Sequence, residues 1–261
     1  NFHLGTSVFD GLMAYWNDTG YYLHRAEDHL VRFREGAARM WLDFPWSVAD
    51  MMSGIEALLA REPQGTQYVR PIAYRRAPEL WVTGNHGRPV DVSIFTVRTS
   101  RDIDALLTCQ VSPVERISSR AIPRQTKVSG AYVNSFHARR TAEVAGFDDG
   151  LMFDREGRVA EASAANVFTI FRNRLMTPRL CDDVFPGVTR KVVIELAHNN
   201  GIDVEEADLR KNDLANADGA FLCSTLMEVR GISRLGERTL ATSELPEFKA
   251  ILKSFRKLTR R

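Results

Sequence analysis

Three short segments carry residue types whose pattern could do chemistry. Pro186-Gly187-Val188-Thr189-Arg190 puts a flexible turn and a hydroxyl where a helix is expected to begin. Free N–H groups and the positive end of the helix dipole make such a start an anion site, with phosphate the usual occupant, although many helices begin with Gly and Thr only as caps. Lys127 lies in Pro123-Arg124-Gln125-Thr126-Lys127-Val128-Ser129-Gly130, just ahead of another expected helix. Lysine is the side chain that forms a Schiff base with an aldehyde cofactor, and its amine must be partly deprotonated to do so, but most lysines are solvated surface charges. Glu161 opens Glu161-Ala162-Ser163-Ala164-Ala165-Asn166-Val167-Phe168. It reads either as an acid on an edge strand or as a carboxylate beside a cationic ring nitrogen, with small neighbours that leave room for a flat ligand.

The elements that must position these residues alternate between strand and helix, which predicts an α/β or α+β class. Helical spacing of Leu30, Phe33, Ala37 and Met40/Trp41 predicts a helix over 26–42. A second is expected over 47–61, opened by a Ser47-x-x-Asp50 box and closed before Pro63. Strands are expected over 67–76 and 90–99. The polar run 98–104 reads as a linker, giving a small N-terminal α/β domain over 1–98, a linker over 99–105 and a large C-terminal domain over 106–261 that carries Lys127. In the second half a helix is expected over 129–145, ending at Gly146, then strands over 151–154 and 159–171 joined by the turn Arg155-Glu156-Gly157. A helix over 189–200, a short buried strand over 220–224 and a last helix over 245–258 complete the pattern. The last helix carries a basic tail of Lys249, Lys253, Arg256, Lys257, Arg260 and Arg261.

Composition excludes several classes. The 261 residues include 35 Lys+Arg against 33 Asp+Glu, and a net charge of +2 is too small to argue for nucleic acid or an anionic membrane as partner. No apolar run approaches the ~20 residues a membrane span needs. Fourteen Phe, six Tyr and four Trp are too much aromatic surface for a disordered chain. Cys109, Cys181 and Cys223 form no C-x-x-C, and the histidines have no ligand spacing, so no metal is expected and the thiols fit a reducing compartment, the cytoplasm. The chain opens at Asn1 without Met, so a targeting segment ahead of it stays open.

Six motifs then occur in order: Gly5-Thr6-Ser7-Val8-Phe9-Asp10-Gly11, His29-Leu30-Val31-Arg32, Tyr68-Val69-Arg70-Pro71, Lys127-Val128-Ser129-Gly130-Ala131-Tyr132, Glu161 to Phe168 and Pro186 to Arg190. From Gly5 to about Glu228 the chain closely resembles the class IV (fold type IV) aminotransferases dependent on pyridoxal phosphate, and among them the branched-chain amino acid aminotransferases. The resemblance implies two domains with the cofactor between them and, as is common in the family, a homodimer. It implies Lys127 as the Schiff-base lysine and catalytic base, Tyr132 against the cofactor's phenolic oxygen, Glu161 on the pyridinium nitrogen and Arg32, Val188, Thr189 and Thr225 around the phosphate. Asn166 and Ser224 join the cofactor-binding set, and Phe9, Tyr68, Arg70 and Leu226 the substrate-binding set. The implied reaction moves an amino group between an amino acid and a 2-oxo acid, with 2-oxoglutarate or glutamate as one partner.

Two departures from the family pattern mark the pocket. Leu4 and Met13 stand where the branched-chain group usually has Tyr and Arg, and Ser224-Thr225-Leu226-Met227 replaces a Gly-Thr-Ala-Ala turn. The cofactor residues are therefore intact while the substrate walls are altered. Alternatives within the fold are a D-amino acid or (R)-amine transaminase and a 4-amino-4-deoxychorismate lyase. Outside it stands a binding protein that docks through the basic C-terminal tail, against the reading of that tail as the solvated face of a packed helix.

Overall fold

The computed structural model describes residues 4–76, 89–99, 104–123, 125–181 and 183–260. By packing, the chain divides into a first unit of Asn1–Ser100, Thr126–Tyr132 and Thr259–Arg261 and a second of Arg101–Gln125 and Val133–Leu258. Residues 100–103 of the expected linker, and Arg261 of the basic tail, lie outside the described residues.

The first unit opens with strands β1 (Val8–Phe9), β2 (Leu12–Asn17) and β3 (Gly20–Leu23), followed by helices α1 (Ala26–Arg39) and α2 (Val48–Leu59) and strands β4 (Gln67–Arg75) and β5 (Val90–Arg98). All pairings are antiparallel: β5 runs along the whole of β4, β1 and β2 share its other edge, and β3 lies outside β2. Strand alternation turns Val8, Leu12, Ala14, Val69 and Ala73 to the face that α1 and α2 cover with Leu30, Phe33, Ile55 and Leu59. Register then puts Phe9, Met13, Tyr68 and Arg70 together on the opposite face. The expected box at Ser47 is present, with its hydroxyl accepting the Asp50 N–H at 3.1 Å and Asp50 accepting the Ser47 N–H at 2.8 Å. Helix α1 stops short of the expected 42 because Trp41 takes a left-handed φ of 50°.

The sequence reading expects Lys127 in the C-terminal domain; in the structure its segment, Thr126–Tyr132, packs with the first unit. The backbone of 127–130 pairs with that of 5–9, through Phe9 N–H to Lys127 O (3.1 Å), Ser129 N–H to Ser7 O (2.9 Å) and Gly130 N–H to Gly5 O (2.8 Å). Glycine is required at the tightest point, since a Cβ on Gly5 (φ +64°) would lie 2.8 Å from Gly130 Cα.

The second unit contains β6 (Leu107–Val111), the part of α3 (Tyr132–Val144) beyond Tyr132, β7 (Asp149–Phe153), β8 (Val159–Ala162), β9 (Asn166–Phe171), β10 (Arg174–Pro178), α4 (Val188–Asn199), β11 (Val204–Ala207), α5 (Lys211–Asn216), β12 (Gly219–Ser224), β13 (Glu228–Leu235), β14 (Arg238–Thr239) and α6 (Pro246–Thr259). Its sheet runs β11-β10-β9-β12-β13-β6-β7-β8, with β14 beside β13. One core joins Phe168, Ile170 and Phe221 to α4 and to Phe248, Ile251 and Phe255 of α6, so the apolar stripe of the last helix is buried and its lysines are the solvent face. A second core gathers Leu107, Leu151, Val167, Leu222 and Ile232 with Leu209 and Leu214.

Two expected elements differ. The helix over 129–145 begins as a tight 3-10 turn, Ser129–Ala131, before α3. The single strand over 159–171 is two, because Ala162 N–H turns to Ala165 O (2.8 Å) and Ser163 N–H to Asp149 Oδ1 (3.1 Å), which takes the small residues 163–165 out of the ladder. Among the described residues no helix is long and apolar enough to cross a membrane.

Cys109 and Cys223 are fully buried and Cys181 is half-buried. Burial pushes the Cys109 thiol well above its ordinary range and the Cys223 thiol up to about 12, where the thiolate that reacts with disulfide reagents is scarce. A thiol-reagent titration is expected to label Cys181 alone in the native protein and all three cysteines after unfolding.

Candidate active site

In the first unit the paired segments bring a set of polar groups to the outer face of the sheet. Lys127 Nζ donates to the Tyr132 hydroxyl at 3.0 Å, five residues on, because the 3-10 turn swings Tyr132 back beside the lysine. Phe9 lies under both: its ring centroid is 4.7 Å from that of Tyr132 and 5.9 Å from Lys127 Nζ. The Arg70 guanidinium stands 4.7 Å over the same Phe9 ring and donates to the Tyr68 hydroxyl at 2.9 Å. Its Nε is buried and has no hydrogen-bond partner among the described residues. Met13 is opposite Tyr68 in the register and buried, so it lies on the same face as Arg70.

Arg32 reaches this unit's interior from α1 and meets Asp10, which the sequence reading left without a role. Nε and Nη2 of Arg32 donate to the two carboxylate oxygens at 2.9 and 2.8 Å, and His29 Nδ1 lies 2.9 Å from Oδ1. Burial works to raise the Asp10 carboxyl, but the Arg32 charge and the hydrogen bonds from His29 and Arg32 outweigh it and hold the acid far below the usual carboxylate range. With Asp10 ionised, the His29 Nδ1 carries the proton. Burial, reinforced by the positive charges of Arg32 and Lys127, depresses the His29 pKa, so its imidazole is neutral.

In the second unit Glu161 lies on β8, the terminal strand of the sheet, yet is buried. One oxygen takes an ion pair with Arg116 Nε at 2.7 Å and the other accepts the Phe185 N–H at 3.2 Å. The Phe185 carbonyl accepts from Asn166 Nδ2 at 2.9 Å, so one residue's backbone ties the acid to Asn166. Asn166 in turn fixes the start of α4: its Oδ1 would lie 2.1 Å from a Cβ on Gly187, which only glycine avoids. Gly187 is the N-cap and supplies no side chain, leaving the first-turn N–H groups of Val188, Thr189 and Arg190 without partners inside the helix. Val188 and Thr189 are buried there. Asn166 also pairs in register with Cys223, placing it beside Ser224, whose hydroxyl accepts the Met227 N–H at 3.3 Å and closes the turn holding Thr225 and Leu226.

Each unit thus gathers the predicted residues it contains: Lys127, Tyr132, Phe9, Tyr68 and Arg70 in the first, with Arg32 held by Asp10, and Glu161, Asn166, Val188, Thr189, Ser224, Thr225 and Leu226 in the second. The sequence reading missed Asp10, Arg116 and Phe185. Elsewhere Asp154, Glu156 and Asp183 come together, but Arg158 pairs with the first two and Asp183 accepts the Ser119 N–H, so this is a bridged turn.

The family described as amino-transferase class IV matches residues 7–235, which span both groups. The chain belongs to the class IV aminotransferases. It is 30% identical to a probable branched-chain-amino-acid aminotransferase of Aquifex aeolicus, over 98% of this chain and 84% of that one. The crystal structure of the branched-chain aminotransferase of Thermoproteus uzoniensis with norvaline superposes with a TM-score of 0.93 at 30% identity, covering 98% of this chain and 86% of the other. A second branched-chain amino acid aminotransferase, from the source abbreviated T.th. and complexed with N-(5'-phosphopyridoxyl)-L-glutamate, gives 0.93 at 27%, covering 100% and 87%. The protein is a pyridoxal-phosphate-dependent transaminase of fold type IV, and its residues fit that cofactor. An amine beside a phenol suits the aldehyde end, a buried carboxylate the ring nitrogen, and an uncapped helix start a phosphate dianion.

The Arg116–Glu161 pair is mostly buried, so removing one partner strands the other's charge. Arg116→Met is expected to lower unfolding stability by about 3 kcal/mol, and adding Glu161→Gln should recover most of it. Chemical denaturation of the four proteins measures the coupling; strictly additive losses would dissolve the pair.

Proposed function

We propose that this transaminase exchanges amino groups between glutamate, with 2-oxoglutarate as its 2-oxo acid, and a second amino acid not confined to leucine, isoleucine and valine. The observation that carries the reading is Arg70: one guanidinium over Phe9, whose ring also faces Lys127, with a buried Nε that has no hydrogen-bond partner among the described residues. A distal carboxylate would satisfy that donor by a charge-assisted bond, and an apolar side chain would lie along Phe9, Met13 and Tyr68. Buried Met13 makes that wall adaptable. The norvaline and phosphopyridoxyl-glutamate complexes of the two relatives support a pocket that takes both kinds of side chain.

Bound pyridoxal phosphate supplies the electron sink that allows a proton and an amino group to be moved at a substrate Cα. Lys127 Nζ would hold the cofactor's aldehyde end and would move the proton at the substrate Cα, with the Tyr132 hydroxyl orienting the amine. Glu161, steadied by Arg116 and the Phe185 N–H, meets the ring nitrogen. Arg32, the first turn of α4 and Thr225 hold the phosphate, while Ser224 and Leu226 shape the neighbouring turn. A small N-terminal and a large C-terminal domain joined near 99–105, a homodimeric assembly and a cytoplasmic setting belong to the same proposal.

Borohydride reduction followed by peptide mapping is expected to fix the cofactor on Lys127; label on another lysine would refute the assignment. Arg70→Ala is expected to raise the Michaelis constant for 2-oxoglutarate about 10- to 100-fold, the scale of one hydrogen bond to a charged group, while sparing the half-reaction with the other donor. Equal losses in both half-reactions would make Arg70 structural.

A further inference from the structure

We infer that Asp10 is a positioning residue for cofactor binding: it sets the plane of the Arg32 guanidinium, and so governs phosphate affinity by orientation rather than by charge. The inference rests on the cofactor reading above and on geometry wholly within the first unit.

The Asp10 carboxylate is saturated. Oδ1 accepts the Gly11 N–H at 2.7 Å, His29 Nδ1 at 2.9 Å and Arg32 Nη2 at 2.8 Å, while Oδ2 accepts Arg32 Nε at 2.9 Å. Asp10 is 1% exposed and its backbone is itself fixed, its N–H donating to Pro71 O at 3.1 Å. Two parallel bonds along one edge of a planar fork leave the guanidinium no rotation about its long axis. The Nη1 corner therefore points away from the carboxylate in one fixed direction. His29 prevents the carboxylate from turning, because its neutral ring donates to the same oxygen from three positions earlier on α1. Arg32 keeps 11% exposure in its side chain, enough for a small anion to reach it, whereas Asp10 keeps none to speak of.

Charge and orientation make opposite demands here, which gives the inference its test. A buried negative charge against Arg32 cancels much of the field that would attract a phosphate dianion. If charge governed affinity, removing it would tighten cofactor binding. If orientation governs, removing it loosens binding, since in Asp10→Asn the amide oxygen can still accept from Gly11, His29 and Arg32 Nη2 while the amide nitrogen turns a donor toward Arg32 Nε, which needs an acceptor.

Apoprotein is titrated by absorbance with pyridoxal phosphate and, separately, with pyridoxal, which has the aldehyde and no phosphate. Asp10→Asn is expected to raise the dissociation constant for pyridoxal phosphate about 10-fold, the scale of one charge-assisted bond, and to leave that for pyridoxal unchanged. Unchanged or tighter pyridoxal phosphate binding would overturn the inference, as would equal weakening of both ligands, which would trace the effect to the fold. Arg32→Lys serves if Asp10→Asn does not fold: it keeps the charge but cannot span both carboxylate oxygens, and is expected to lose affinity for pyridoxal phosphate alone to a similar degree. Wild-type affinity in Arg32→Lys would overturn the inference. A wild-type protein that bound neither compound would instead remove the cofactor reading, and with it this one.

Discussion

The lysine proposed to carry the cofactor owes its place to five residues of backbone more than a hundred positions earlier in the chain. The segment 127–130 belongs to no strand and to no α-helix: it runs from a single bridge at Val128 into the 3-10 turn that starts at Ser129. It is held because 5–9 lends it hydrogen-bond partners, and the side-chain contact between the Ser7 and Ser129 hydroxyls at 2.7 Å reinforces the pairing. Two glycines, Gly5 and Gly130, allow the backbones to approach this closely. Because Phe9 belongs to the same paired run, the ring beneath the lysine and the lysine itself are positioned by one set of bonds. The same face continues from Phe9 along the sheet to Tyr68 and Arg70, so amine, aromatic floor and guanidinium share a rigid reference rather than three independent loops.

The second unit reaches the same end differently. Here a single residue, Phe185, donates through its N–H to Glu161 and accepts at its carbonyl from Asn166, and Asn166 packs against Gly187 at the helix start. The acid and the start of α4 therefore cannot drift apart without breaking a partly buried hydrogen bond, a loss on the order of 1 kcal/mol. Arg116 adds a countercharge from the loop before Lys127's segment. A carboxylate so fixed can hold a partner on its remaining lone pairs with little reorganisation when that partner arrives.

Much of this was legible in the sequence, and the parts that were not share physical causes. Lys127, Glu161 and Thr189 stand out because short signals surround them: small residues, a turn, a helix start. The long helices and the strands β4 and β5 follow from periodicity, and the Ser47 box from its spacing. Asp10 was in a quoted motif but carried no assignment, since its worth depends on Arg32 and His29, which α1 delivers from another part of the chain. Arg116 is one of 35 cations in a stretch without periodicity, and Phe185 acts through its backbone, for which residue type is no guide. The two-residue β1 is shorter than any alternation can reveal. The run 159–171 looked continuous because its break depends on a distant acceptor, Asp149.

Gly11 and Tyr68 bear on how such a pocket can change over generations. A Cβ at position 11 would fall 1.8 Å from the Tyr68 hydroxyl, so the oxygen that holds Arg70 occupies space only a glycine leaves open. The two positions lie in different motifs, yet neither can be altered freely. A lineage that gained any side chain at position 11 would first have to displace the whole Tyr68 ring, whose Cζ and Cε2 would lie 2.4 and 2.7 Å from the same Cβ, and with it the anchor of Arg70. A reshaped substrate preference could therefore pass through Met13 or Leu4 by single steps, whereas the Gly11–Tyr68–Arg70 corner would have to be rebuilt as a block.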